Sequence, residues 1–186
     1  MDKTIAYLFG ALHDGYIYTG KSKGKVAVFT QKNRDWLENL RQMILVYGKS
    51  AWIFKQRQIF VLETKLSSLF QSYDFDSFTD DEKHEFVSGF FDAEGGIPMN
   101  PGDSKSLYIQ FVQKKPEILS KIMNYLGAHD ISCGKLHMYD KGRSDCWRFF
   151  VSSASLLRCV EILNSRHPSK IVRLKIMKEI LEARAN

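Results

Sequence analysis

The sequence predicts an α+β protein made of two copies of one unit, and three observations carry that prediction. Apolar residues recur at helical spacing in some stretches and alternate in others. The order helix, strand, helix, hairpin, helix occurs twice along the chain. In each copy an acid followed by glycine closes the first helix, and a Gln-Lys pair closes the strand after it.

The first helix spans about Thr4 to Leu12, where Ile5, Leu8, Phe9 and Leu12 share one face, and it stops at Asp14-Gly15. Val26, Val28 and Thr30 alternate with Lys25, Ala27 and Phe29 as a strand. Asn33 caps a helix carrying Trp36, Leu37, Leu40, Ile44 and Tyr47, closed by Gly48. Trp52–Phe54 and Ile59–Leu62 flank a polar turn as a hairpin, and a short helix over Lys65–Ser72 follows. The second copy opens at the capping box Thr79-Asp80-Asp81-Glu82, whose helix carries Phe86, Val87, Phe90 and Phe91. Leu107 to Val112 alternates as a strand, and Pro116 opens a helix that ends at Gly127. Leu136–Tyr139 and Trp147–Val151 bracket a second hairpin; Ser155–Leu163 and a segment opening at Pro168 are helical. The halves are residues 1–78 and 79–186.

Composition narrows the class. The chain has 186 residues, 44% of them hydrophobic and only 4 proline, which excludes a disordered or collagen-like protein. No apolar run approaches the roughly 20 residues that cross a bilayer. The opening Met1-Asp2-Lys3-Thr4 lacks the basic-then-apolar order of a secretory signal. Three cysteines, Cys133, Cys146 and Cys159, are too few for a disulfide framework, so an intracellular protein, cytoplasmic or organellar, is expected. Lys+Arg exceed Asp+Glu by 27 to 21, a net +6 that favours a polyanionic partner. The stretch Tyr16–Lys32 holds four lysines and no acid, interleaved with aromatics; Asp74–Glu94 holds eight acids against Lys83 alone.

A carboxylate at a helix C-terminus meets unpaired carbonyls and roughly half a negative charge, an unfavourable place unless a cation is bound. Asp14 and Glu94 occupy that place 80 positions apart, and Gln31-Lys32 and Gln113-Lys114 recur 82 apart. Hard cations such as Mg²⁺ take oxygen ligands, which the two carboxylates and the backbone carbonyls of His13 and Ala93 supply. Ala6, Gly10, Gly89 and Ala93 are small residues at i, i+4 spacing that let two helices pack closely. Packed so, the helices bring both acids to one place, where Lys32 and Lys114 offset phosphate charge and Gln31 and Gln113 position waters. Cys133, His137, Cys146, Cys159 and His167 lack the paired spacing of a zinc site.

Phe86-Val-Ser-Gly-Phe-Phe-Asp-Ala-Glu-Gly95 resembles the LAGLIDADG motif of homing endonucleases, and Tyr7-Leu-Phe-Gly-Ala-Leu-His-Asp-Gly15 is similar to a looser first copy. The resemblance covers nearly the whole chain and points to single-chain, two-motif members. It implies two pseudo-symmetric αββαββα repeats, motif helices packed at the centre, and antiparallel β-saddles facing DNA. It further implies Mg²⁺-dependent double-strand cleavage with short 3′ extensions, a monomer, and an intron-encoded origin. Metal-binding acids carry over to Asp14 and Glu94, and supporting residues to Gln31, Lys32, Gln113 and Lys114. The first copy departs from the pattern, since Gly10 lies four positions before Asp14 while Gly89 lies five before Glu94. The basic residue common after the second acid is also missing, and Arg148 on the last hairpin is the expected substitute.

DNA readout is expected from Tyr18, Lys21, Lys23, Lys25, Lys55, Arg57, Tyr108, Gln110, Lys135, His137, Tyr139, Lys141, Arg143 and Arg148 on the saddle faces. The alternatives are an RNA maturase acting on intron RNA and a DNA-binding regulator that does not cut. Neither needs both acids with both Gln-Lys pairs.

Overall fold

A computed structural model describes residues 2–20, 24–140 and 145–185, and it divides into two compact units. The first comprises Met1–Ala93 with Arg166–Pro168, the second Glu94–Ser165 with Ser169–Asn186. The second half is expected from sequence to begin at residue 79; residues 80–93 of the second motif helix fall in the first unit.

Helix α1 (Lys3–Ala11) starts at Asp2, whose carboxylate accepts the Thr4 N–H. Every residue from Ile5 to Ala11 is buried. A 3₁₀ turn, Leu12–Asp14, leads into strand β1 (Gly15–Gly20), then β2 (Gly24–Gln31), α2 (Arg34–Leu45), β3 (Ala51–Gln56) and β4 (Ile59–Thr64). The strands form an antiparallel sheet in the order β1-β2-β4-β3. Asn33 caps α2 through the Trp36 N–H, and α2 buries Trp36, Leu37, Leu40 and Ile44. The expected short helix over 65–72 is a 3₁₀ turn, Ser67–Phe70. The capping box opens α3 (Asp80–Glu94) as read: the Glu82 carboxylate accepts the Thr79 N–H at 2.7 Å, and the Thr79 hydroxyl accepts the Glu82 N–H at 3.4 Å.

The second unit repeats the scheme with a shorter edge. Strands β5 (Gly95–Gly96), β6 (Gln110–Gln113), β7 (His137–Asp140) and β8 (Asp145–Phe150) form a sheet in the order β5-β6-β8-β7. Helices α4 (Pro116–Ala128), α5 (Leu156–Ile162) and α6 (Pro168–Ala185) complete it. Of the strand expected over 107–112, Gln110 and Phe111 pair with both β5 and β8, Val112 and Gln113 pair with β8, and the Ile109 carbonyl still accepts the Val151 N–H at 2.9 Å. Pro98 has no N–H to give a longer β5, so residues 107–109 have no edge partner there.

Within the first unit α1 packs on α3 with the backbones almost touching. A Cβ at Gly10 would collide with the Phe86 carbonyl and the Phe90 N–H, and one at Gly89 with the Tyr7 carbonyl. The small residues are therefore required by the crossing. The unequal spacing of Gly10–Asp14 and Gly89–Glu94 also has a geometric resolution. Counting about 1.5 Å per α residue and about 2.0 Å per 3₁₀ residue, both stretches rise about 7.5 Å. The 3₁₀ turn after α1 makes up for the missing residue, whereas α3 stays α-helical to Glu94.

Candidate active site

Each unit carries one copy of the same small construction. In the first, Gly15 pairs with Phe29 across β1 and β2, which places Gln31 beside the end of the 3₁₀ turn. The Gln31 side-chain N–H donates to Asp14 Oδ2 at 3.2 Å, and its carbonyl accepts the Lys32 N–H at 2.8 Å. In the second, Gly95 pairs with Phe111, and Gln113 donates to Glu94 Oε1 at 3.0 Å while accepting the Lys114 N–H at 2.7 Å. The backbone bond decides which way the amide faces: with its oxygen tied to the following lysine N–H, its NH₂ end must point at the carboxylate. A carboxylate oriented by a neighbouring donor is the arrangement that supports a metal ligand.

Both acids and both glutamines are half-buried, and Lys32 and Lys114 are exposed. The His13 ring lies against Phe90 at 4.8 Å and Phe86 at 5.7 Å, with Nε2 2.7 Å from the Tyr73 hydroxyl. Its imidazole is thus part of an aromatic cluster. Burial pushes the Tyr73 phenol up to about 12. Among the described residues no group of three or more His, Cys, Asp or Glu is placed to hold a metal ion.

The two copies differ in what meets the backbone beside the acid. The Thr30 hydroxyl donates to the Asp14 carbonyl at 3.1 Å. Val112 stands at the matching place in the second copy, and there the Lys170 ammonium donates to the Gly95 carbonyl at 2.7 Å. Lys170 is 7% exposed. Sequence reasoning looked for a second base on the last hairpin and named Arg148. Arg148 donates to His137 Nε2 at 3.0 Å and lies 5.0 Å from the Phe150 ring. Lys170 was missed because it follows Glu94 by 76 positions, on a helix with no repeat counterpart. The one local signal was a lysine in the first turn of that helix, where a cation is disfavoured.

Asp92 was also under-read. It is fully buried and accepts the Tyr7 hydroxyl at 2.5 Å and the backbone N–H groups of Arg166 and His167 at 2.6 and 3.1 Å. Trp36 Nε1 donates to the same Tyr7 oxygen at 3.2 Å. Burial, then the Asp92 carboxylate, holds the Tyr7 phenol well above its ordinary range. The Arg166 guanidinium lies 4.2 Å from the Tyr7 ring and pairs with Glu85 at 2.6 Å. This network fastens the chain just ahead of α6, the helix that carries Lys170.

The residues expected to read DNA divide by placement. Lys21, Lys23, Lys141 and Arg143 lie outside the described residues. Lys25, Lys55, Arg57 and Lys135 are exposed, Arg57 in the β3–β4 turn with φ +56°. Tyr18 is half-buried, its hydroxyl 3.4 Å from Glu63. Strand register puts Gln110 with Phe150 and His137 with Arg148 on one face of the second sheet. Tyr108 meets Phe150 edge-on, with ring centroids 6.0 Å apart. Tyr139 pairs in register with Cys146 on β8.

Two four-stranded antiparallel sheets, each entered from an acid-ended helix and followed by a Gln-Lys strand end, define an α+β protein of internally repeated type. The chain belongs to the LAGLIDADG endonuclease family, whose profile matches residues 87–181, just over half of it. Solved structures share the fold. I-DmoI in complex with DNA and Mn superposes with TM-score 0.70 at 18% identity, over 89% of this chain and 98% of that one. I-DmoI with DNA and Ca gives 0.68 at 17%, over 89% and 91%. Full-length DUF199/WhiA from Thermatoga maritima gives 0.72 at 17%, over 98% of this chain and 60% of that one. No curated protein matches the sequence significantly. Among the described residues no helix is long and apolar enough to cross a membrane.

Proposed function

We propose that this protein is a site-specific double-strand DNA endonuclease, a homing endonuclease acting as a monomer, that hydrolyses phosphodiesters with divalent metal held by Asp14 and Glu94. The observation that carries the reading is the duplicated pair: a helix-end carboxylate fixed by a glutamine that is itself fixed by the next lysine's N–H. The donor set fits Mg²⁺ or another hard divalent ion, since carboxylate and carbonyl oxygens are what such ions take. His13 and Ala93 contribute the carbonyls. A bound ion supplies Lewis acidity toward the scissile phosphate and a water of lowered pKa. The chain's own part is orientation and charge. Gln31 and Gln113 hold the carboxylates and order water, while Lys32 and Lys114 offset phosphate charge at the rim. Lys170 adds a buried cation beside the second acid, the role first expected of Arg148.

The halves 1–78 and 79–186 each present a sheet to the duplex. Tyr18, Lys25, Lys55 and Arg57 contact the DNA from the first, and Tyr108, Gln110, Lys135, His137, Tyr139 and Arg148 from the second, joined by Lys21, Lys23, Lys141 and Arg143. The I-DmoI structures containing DNA and Ca or Mn support both the partner and the class of cofactor. Coding within an intron suits this class. A maturase or a non-cutting regulator on the same scaffold is the competing reading, and the intact acid–glutamine pair in both copies favours the nuclease.

The test is selection from a randomised duplex library in Mg²⁺ and in EDTA. Recovery of one long site, cut only with metal, supports the proposal. Specific binding with no cut in any divalent metal selects the regulator or maturase instead.

A further inference from the structure

Strand register decides which side chains share a face of the first sheet. Val28 pairs with Tyr16 and with Glu63, and Glu63 pairs with Trp52, so these four form one row across β1, β2, β4 and β3. Thr30, Val61 and Phe54 form the next row on the same side, and Tyr18 with Val26 another. Val26, Val28 and Val61 make a small apolar cluster of their own, covered partly by Tyr18 and Ile59. Tyr16, Trp52 and Phe54 stand out of it, 55%, 54% and 42% exposed. A groove of about 380 Å³ runs between Val26, Trp52, Phe54, Glu63 and Lys65. This face is thus mostly apolar, whereas the matching rows of the second sheet carry Gln110, Arg148 and His137.

A bare apolar sheet face with this much aromatic surface is not maintained for water. Its rim says what covers it. Lys65 is exposed in the groove itself, and Arg57 is exposed in the β3–β4 turn at the end of the face. Cations around an apolar floor complement a polyanion that exposes methyl groups. In duplex DNA those are the thymine C5-methyls of the major groove, which apolar side chains read. The face also begins beside Asp14, whose carbonyl accepts from Thr30 in the second row.

We infer that the first sheet reads its half of the DNA site through thymine methyl groups, with Trp52, Phe54 and Tyr16 as the reading side chains. The inference rests on the proposed endonuclease function and adds the class of sequence that this sheet selects. Glu63 is the one acid in these rows, and it accepts from a cytosine N4 amine where the site departs from thymine. Lys65 and Arg57 at the rim hold the phosphates and fix register without reading bases.

The experiment starts from the duplex site recovered by selection, bound in Ca²⁺. Deoxyuridine then replaces thymidine in one half at a time, which removes methyls and leaves pairing intact. Each lost methyl contact lowers affinity about fourfold, the worth of one buried CH₂. Uridine in one half is expected to weaken binding tenfold or more, and in the other half to change it less than twofold. The Trp52→Ala/Phe54→Ala protein, altered only at exposed side chains, is expected to bind the thymidine and uridine duplexes alike while retaining its response to changes in the other half. Equal binding of both duplexes by the unaltered protein overturns the inference and leaves the endonuclease reading standing. Failure to enrich any site removes both. Self-association abolished by the double variant, with no thymidine preference, overturns it as well by showing that a second copy covers the face.

Discussion

Glu94 ends a helix, where its charge opposes the helix dipole; Gln113 donates to its carboxylate, and Lys170 donates to the carbonyl of the next residue, Gly95. Lys170 is the least expected of these. Burying an ammonium costs free energy, which makes Lys170 a place to test whether its charge serves the reaction. Lys170→Met keeps the length and removes the charge. Cleavage by this variant is expected to fall about 10²- to 10³-fold, the usual loss for one preorganised electrostatic group. DNA affinity and the urea midpoint are expected to stay close to the parent values, and Lys170→Arg to recover part of the rate. A purely structural lysine would shift the midpoint first, and arginine would then restore nothing specific to the rate. Tyr73 gives a residue-scale prediction about pH. Its phenol titrates near 10 when unfolded and about 12 when folded. The folded state therefore retains the proton longer, so the Tyr73 contribution is complete below pH 10 and is lost as pH rises toward 12. Tyr73→Phe is expected to flatten that alkaline decline in denaturant titrations, and an unchanged slope would show that other groups cause it.

At the level of elements, the crossing of α1 and α3 is governed by Gly10 and Gly89. Replacing a mid-helix glycine by alanine ordinarily stabilises by about 1 kcal/mol. Here Gly10→Ala is expected to destabilise by about 1–3 kcal/mol, as overpacking does, because backbone atoms of Phe86 and Phe90 fill the space. A more stable variant in urea unfolding would mean that the crossing is looser than described. Most elements were legible because their signals are local: Asn33 as a cap, Thr79 with Glu82 as a capping box, Pro116 at a helix start. The edge strand β1 did not stand out, since its glycine ends and its tyrosines facing away from the core blur the alternation. The 107–112 strand runs shorter than expected because β5 ends at Gly96 and Pro98 has no N–H to extend that edge, although Ile109 still bonds Val151 on the other side. The offset between Gly10 and Asp14 was visible as an anomaly, but its solution, a 3₁₀ turn, is a matter of backbone geometry that side-chain pattern does not encode.

Across the whole molecule, duplication made the site readable. One acid before glycine is an ordinary turn; two, each followed at nearly the same distance by Gln-Lys, are a constellation. Repetition singled out both acids and both glutamines, but with the glutamines expected to position waters; that each holds its carboxylate came from the strand register. What repetition could not show is where the copies differ: Lys170 against Thr30, Asp92 against Leu12, and an apolar first sheet face against a polar second one. Lys170 and the Asp92 network act through long-range packing, the latter by holding residues 166 and 167, and no local pattern announces such contacts. The proposal that both acids hold metal, and that binding lies elsewhere on the sheets, makes one joint prediction. Cleavage of the selected duplex should be followed with the strands labelled separately, in Mg²⁺, for the parent protein, Asp14→Asn and Glu94→Gln, alongside their affinities in Ca²⁺. Both variants are expected to bind within about threefold of the parent, since phosphate contacts dominate affinity, and to cut neither strand. Full cutting by either variant would contradict the assignment of Asp14 and Glu94 as the metal-holding acids.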